Sequence, residues 1–282
     1  MVRIVEKSEG LGRVAVSVLA LLVGLVVVAD VQAEEESGHN DVLVFQSGGK
    51  VFTGGIDVDC FSGVGPAGCD PNGALERVFE AELAETGSSP GIIGAADEPG
   101  FFSVPDGGEF ALPFGDNLPA AAVHAVDFII APSGLPQKSI LFWDGTGGFV
   151  NWSGVPNSEI FDIEGNAGSG GILNGGRALL GVLLDSPGAN GTFDTHPEFF
   201  LNGGGGQDPT NGFYALIGRT NVSELASSDP WAIVFDFGVE NEELHEAAID
   251  SLAYVLPVPE PTGLTLLASV LVGLALARRR SA

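Results

Sequence analysis

Basic residues are scarce in this chain: 11 lysines and arginines stand against 37 acidic residues in 282, a formal charge of −26. So negative a surface repels phosphate backbones and anionic headgroups, which excludes nucleic acid as a partner. Cysteine occurs only twice, and two thiols do not by themselves furnish a metal site. Catalytic signatures are missing too. No Gly-Lys-Ser/Thr ends the glycine clusters at Gly168–Gly171 and Gly203–Gly206, so neither is a phosphate cradle. Ser62 and Ser153 stand in no nucleophile elbow, and there is no His-Glu-x-x-His. These absences leave no reason to read an enzyme from motifs.

What is present points to strands. Forty-two glycines and 17 prolines argue against a helical bundle. Short apolar runs bounded by turn residues recur at 42–45, 122–130, 140–143, 159–163, 177–184, 213–217 and 231–237. Ser47-Gly48-Gly49-Lys50 predicts a hairpin into 51–53. Around Phe79 a helical stripe competes with the alternation of Phe79, Ala81 and Leu83 with Glu80 and Glu82, and the β-rich surroundings favour a strand. From Asn241 to Ala253 a cap, Glu242 and Glu243 in the first turn, and Leu244, Ala248 and Leu252 on one side predict a surface helix. A strand-like 253–256 should follow. The expected body is one all-β domain, a β-sandwich or jelly roll.

Long apolar runs occur only near the two ends. Arg3, Lys7 and Arg13 precede the run 14–29, and Val31-Gln32-Ala33 then offers small residues before Glu34. That order reads as a secretory signal peptide, residues 1–33, cut between Ala33 and Glu34, the competing reading being an uncleaved membrane anchor because the 16-residue run is slightly long for a signal. At the other end Val258-Pro259-Glu260-Pro261 precedes the run 263–277, followed by Arg278, Arg279 and Arg280. As a helix those 15 residues rise about 22 Å, a marginal membrane span that the arginine stems extend. The arginines stay cytoplasmic by the positive-inside rule, and the Pro-x-Pro segment stays extended outside, open to a protease.

Motif, helix and arginine cluster, residues 257–282, resemble the PEP-CTERM sorting signal of Gram-negative, exopolysaccharide-producing bacteria. The resemblance implies recognition by an exosortase, a membrane cysteine transpeptidase that cuts near Pro259-Glu260-Pro261. The product would be released or attached at the cell surface. The two ends hold six basic and three acidic residues, so residues 34–261 keep 5 and 34, a charge of −29. That charge suits a soluble exported body, residues 34–256, or one that binds cations.

Within the body, Cys60 and Cys69 flank a glycine-rich stretch and, once exported, are expected to form a disulfide worth about 2–3 kcal/mol. Asp57, Asp59 and Asp70 crowd the same loop. They are candidate Ca²⁺ ligands, although no EF-hand pattern is present and a solvated acidic loop is the simpler reading. No other cofactor is indicated. Asp194, His196 and Glu198 would share one side of an extended segment as a ligand set, or His196 is a strand-edge residue bonded to a neighbour. His124, inside an apolar run, reads as a satisfied core or interface residue. Trp143 and Trp152 flank a glycine turn, where they pack or stack on sugar rings, and Trp231 reads as core. The functional expectation is an exported cell-surface or matrix protein, structural or adhesive, linked to extracellular polysaccharide, with the inner membrane either a transient partner during export or, if the tail is a plain C-terminal anchor, a lasting one. The alternatives are a displayed carbohydrate-active or other hydrolase and a Ca²⁺-dependent binding module.

Overall fold

The computed structural model describes residues 41–55, 77–103, 118–185 and 192–256. Outside them lie the signal segment with Ala33 and Glu34, and the Cys60–Cys69 loop with Asp57, Asp59 and Asp70. The tail with Val258, Pro259, Glu260, Pro261 and Arg278 to Arg280 lies outside as well. Among the described residues no helix is long and apolar enough to cross a membrane.

The body is built of strands in three sheets, with one α-helix among the described residues. The first sheet holds β1 (Val42–Ser47), β2 (Lys50–Gly55), β6 (Phe101–Ser103) and β13 (Phe193–Thr195), in the order β13-β6-β1-β2. The second holds β4 (Ala84–Thr86), β5 (Ile93–Ala96), β10 (Ile160–Glu164), β11 (Gly170–Leu173) and β14 (Glu198–Asn202), in the order β11-β10-β14-β5-β4. The third runs β12-β7-β15-β16-β3, from β3 (Val78–Glu82), β7 (His124–Phe128), β12 (Leu179–Asp185), β15 (Gly212–Val222) and β16 (Trp231–Phe237). β8 (Ile140–Trp143) pairs with the first half of β15 and with the short β9 (Ser153–Gly154), while β7 takes the second half of β15. The sheets face one another as a sandwich, as expected.

Local chemistry accounts for these elements. The predicted hairpin forms with Ser47 opposite Lys50, and Gly48 and Gly49 both adopt positive φ, +59° and +80°. A two-residue turn needs that backbone to match the twist of its strands. Residues 78–82 are strand, with Phe79, Ala81 and Leu83 facing one core. The helix α1 (Glu242–Val255) starts where the cap chemistry places it, Asn241 accepting from the Leu244 N–H at 3.1 Å. Of residues 253–256, expected as a strand, 253–255 instead continue this helix, and Leu256 caps it, its N–H donating to the Leu252 carbonyl. Leu252 and Leu256 are four apart, so one helical face buries both.

Every residue of β16 is buried. One face of β15 and β16 gives Tyr214, Leu216, Trp231, Ile233, Phe235 and Phe237 to a core shared with the other two sheets. The opposite face gives Phe213, Ala215, Ile217, Ala232 and Val234 to a second core under α1. Trp231 is the junction, with Phe79, Phe101 and Phe128 ring centroids 6.2, 5.5 and 6.2 Å away. Its indole N–H donates to Thr220 Oγ1 at 3.0 Å. The ring lies across Gly218, its partner in the ladder, where a Cβ would stand 2.2 Å from the indole. Gly218→Ala is therefore expected to destabilise the fold by about 1–3 kcal/mol through overpacking. Urea unfolding checks this, and Gly148→Ala, where a Cβ would meet nothing within 4 Å, is the milder control.

His124 is fully buried, but the expectation that it is satisfied fails: neither ring nitrogen finds a partner among the described residues. Its ring meets Phe193 edge-on at 4.3 Å. Burial pushes its pKa down to about 4, against the opposing charge of Asp185. The folded value lies below the unfolded 6.5, so the unfolded chain binds the extra proton and stability is lost as pH falls from 6.5 towards 4. The loss is on the order of 3 kcal/mol. His124→Phe should flatten this acid limb, read as urea midpoints between pH 7 and pH 4.5.

Candidate functional site

Three neighbouring strands of the first sheet bring their ends together. Val42 of β1 and Thr195 of β13 both stand opposite Phe101 of β6. The next residues along, Asp41, Gly100 and His196, therefore converge at one edge. The Gly100 N–H is shared, donating to Asp41 Oδ1 at 2.8 Å and Glu98 Oε2 at 2.9 Å. A Cβ at Gly100 would come within 2.6 Å of His196 Cε1 and 2.8 Å of Asp41 Oδ1, so any side chain here would displace the imidazole and the carboxylate. His196 Nδ1 lies 3.2 Å from the Asp97 carbonyl and 3.4 Å from Glu98 Oε1, while Nε2 lies 3.6 Å from Asp194 Oδ1. Asp41, Asp194 and His196 each place one ligand-type atom within 4.8 Å of the others.

The electrostatics follow from three carboxylates around one imidazole. Burial, then the hydrogen bond and charge of Asp41, raise the Glu98 carboxyl above its usual range. Partial burial would lower His196, but Glu98, Asp41, the Asp97 carbonyl and Asp194 together outweigh it and raise its pKa.

Of the expected trio Asp194, His196 and Glu198, the structure unites the first two and sends Glu198 elsewhere. The chain leaves the first sheet at His196, and after Pro197 Glu198 opens β14 in the second sheet, exposed and opposite Glu164. One-sided projection requires an unbroken strand, and the proline ends it. Asp41 and Glu98 were missed because only sheet pairing brings them here. The one local signal was Glu98-Pro99-Gly100, a turn carrying a carboxylate.

The tryptophans are structural. Trp143 and Trp152 are 4% and 8% exposed. Trp143 stacks on Phe213 at 5.3 Å and donates to the Thr146 carbonyl, and Trp152 donates to Ser251 on α1 at 2.8 Å. Neither presents a face to a sugar.

His245 pins α1 to the central sheet. Its Nε2 lies 3.0 Å from the Val234 carbonyl and its Nδ1 lies 3.3 Å from Glu80 Oε1. Two acceptors require both nitrogens to carry hydrogen, which is the cation. Burial lowers its pKa, yet Glu80, the Val234 carbonyl and Asp236 prevail and hold it above 6.5, with Glu242 of the same helix also nearby. A raised folded pKa gives stability that is complete below 6.5 and lost as pH rises through the folded value. His245→Gln should cost about 1–3 kcal/mol at pH 6 and less at pH 9, measured as the difference in urea stability from wild type.

No family model matches the chain, and no curated protein matches it. Among solved structures it is similar to the adhesive subunit CfaE of the CFA/I fimbria of enterotoxigenic Escherichia coli, at 10% identity and a TM-score of 0.27. That match covers 70% of this chain and 48% of the fimbrial subunit, so the chain spans about half the length of that protein. It is also similar to the collagen-binding subdomain of the Enterococcus faecalis surface protein ACE, at 8% identity and a TM-score of 0.22, covering 56% of this chain and 94% of that one. A family 123 glycoside hydrolase from Clostridium perfringens matches at 10% identity and a TM-score of 0.18, over 57% of this chain and 23% of its own. None is close enough in shape to carry a function across.

Proposed function

We propose that the chain is an exported protein of the cell surface or extracellular matrix, processed by an exosortase, with a structural or adhesive role in a polysaccharide-rich matrix. The observation that carries this reading is the tail: Val258-Pro259-Glu260-Pro261, one apolar run and Arg278 to Arg280, in that order. The basic-apolar-small order of residues 1–33 supports export by the same logic. An acidic exterior around an apolar, aromatic interior suits a body that must stay soluble outside the cell. On this reading the exosortase and the inner membrane are transient partners, and the body is what remains at the surface.

Intact mass and fractionation test the proposal in the native host. The expected product begins at Glu34 and lacks the 20-odd C-terminal residues, found at the surface or in the medium. In a strain without the sorting peptidase the tail should remain and the protein should stay with the membrane. Recovery of the unprocessed chain from the cytosol would overturn the reading.

A further inference from the structure

We propose that Asp41, Asp194 and His196, backed by Glu98, form a binding site for one divalent transition ion of the zinc class. Asp194 lies in β13, and Asp41 and His196 are the residues flanking β1 and β13, the two strands on either side of β6, so sheet register sets where they meet. For the His196–Asp194 pair the spacing fits coordination better than hydrogen bonding. At 3.6 Å, His196 Nε2 and Asp194 Oδ1 are too far apart for a good hydrogen bond. Two ligands bound at 2.0–2.2 Å to a tetrahedral ion stand roughly 3.3–3.6 Å apart.

The histidine is oriented as a ligand. Its Nδ1 faces the Asp97 carbonyl at 3.2 Å, the outer contact that fixes a metal-bound imidazole and leaves Nε2 for the ion. Gly100 donates its N–H to both Asp41 and Glu98, holding the carboxylates while its missing side chain leaves room for the imidazole. Charge argues the same way. Among the described residues Glu98 and Asp194 each pair with His196, and neither meets a lysine or arginine. Lys50 and Arg77 are engaged with Asp229. Three carboxylates gathered around one imidazole repel one another, and a divalent ion removes that repulsion. Imidazole in the set selects a zinc-class ion over calcium or magnesium, which take oxygen ligands. The inference rests on these residues and not on the sorting tail, so either can fail alone.

The full-length chain, purified in detergent without a histidine tag and stripped with chelator, tests it by calorimetric titration and melting. Zinc chloride is expected to bind one ion per chain, and at 100 times the Kd to raise Tm by about 3 °C or more. Calcium chloride at the same concentration should give no comparable shift. Asp194→Asn, at a well-exposed side chain, and His196→Ala should each weaken zinc binding about tenfold or more, with metal-free Tm near that of wild type. Glu164→Gln, outside the cluster, should bind like wild type. Should His196→Ala fail to fold, Asp194→Asn alone decides. Unchanged zinc affinity in Asp194→Asn, no zinc shift in wild type, or calcium binding as tightly as zinc would each overturn the proposal.

Discussion

Gly218 and Trp231 face each other across the β15–β16 ladder, and the missing side chain on one lets the indole of the other lie flat over the sheet. The rest of the packing follows from that arrangement. From this position Trp231 meets Phe101 of the first sheet as well as Phe79 and Phe128 of its own. Phe235, two residues on, meets Phe199 and Phe161 of the second sheet at 5.1 and 5.3 Å. One alternating face of one strand thus ties three sheets together. The other face of the same strand carries α1. A strand buried on both sides has no polar face to mark its register, so shape must fix it, and the glycine–tryptophan pair supplies that shape.

The sequence announces strands where a run is apolar and bounded by turns, which is why 140–143 and 231–237 appear with the ends expected of them. The hairpin at Gly48-Gly49 and the helix cap at Asn241 were equally readable, since each depends on chemistry within a few residues. The end of α1 was not. Residues 253–256 are apolar and look like a strand, and only the sheet beneath them rewards a helix that carries Leu252 and Leu256 on one face. The candidate site divides the same way. Asp194 and His196 could be paired from their spacing, but Asp41 and Glu98 lie about 100 residues or more away and join them through ladders that no local pattern encodes.

Contact between the first sheet and the central one depends on few charges. Lys50 of β2 and Arg77, just before β3, both reach Asp229, at 2.7 and 3.2 Å. Backbone bonds run alongside, from Val51 N–H to the Ala226 carbonyl and from Ala226 N–H to that of Gly49. Burial would raise Asp229, yet the two cations hold its carboxyl below its usual range. In a chain so short of basic residues, spending two of them on one aspartate marks this seam as a place where charge is used to position structure.

The three described histidines show how surroundings assign a protonation state to one side chain. His124 sits in an apolar interior with no acceptor among the described residues, and the neutral ring is what that environment tolerates. His245 is also buried, but a carboxylate and a carbonyl close on its two nitrogens and hold the proton in place. His196 lies at the surface among carboxylates, where either a proton or a metal ion can supply the positive charge the cluster needs. Burial alone therefore predicts neither state. The number and direction of acceptors around the ring decide it, and for His196 they leave one nitrogen facing a carboxylate at a distance that suits an ion between them.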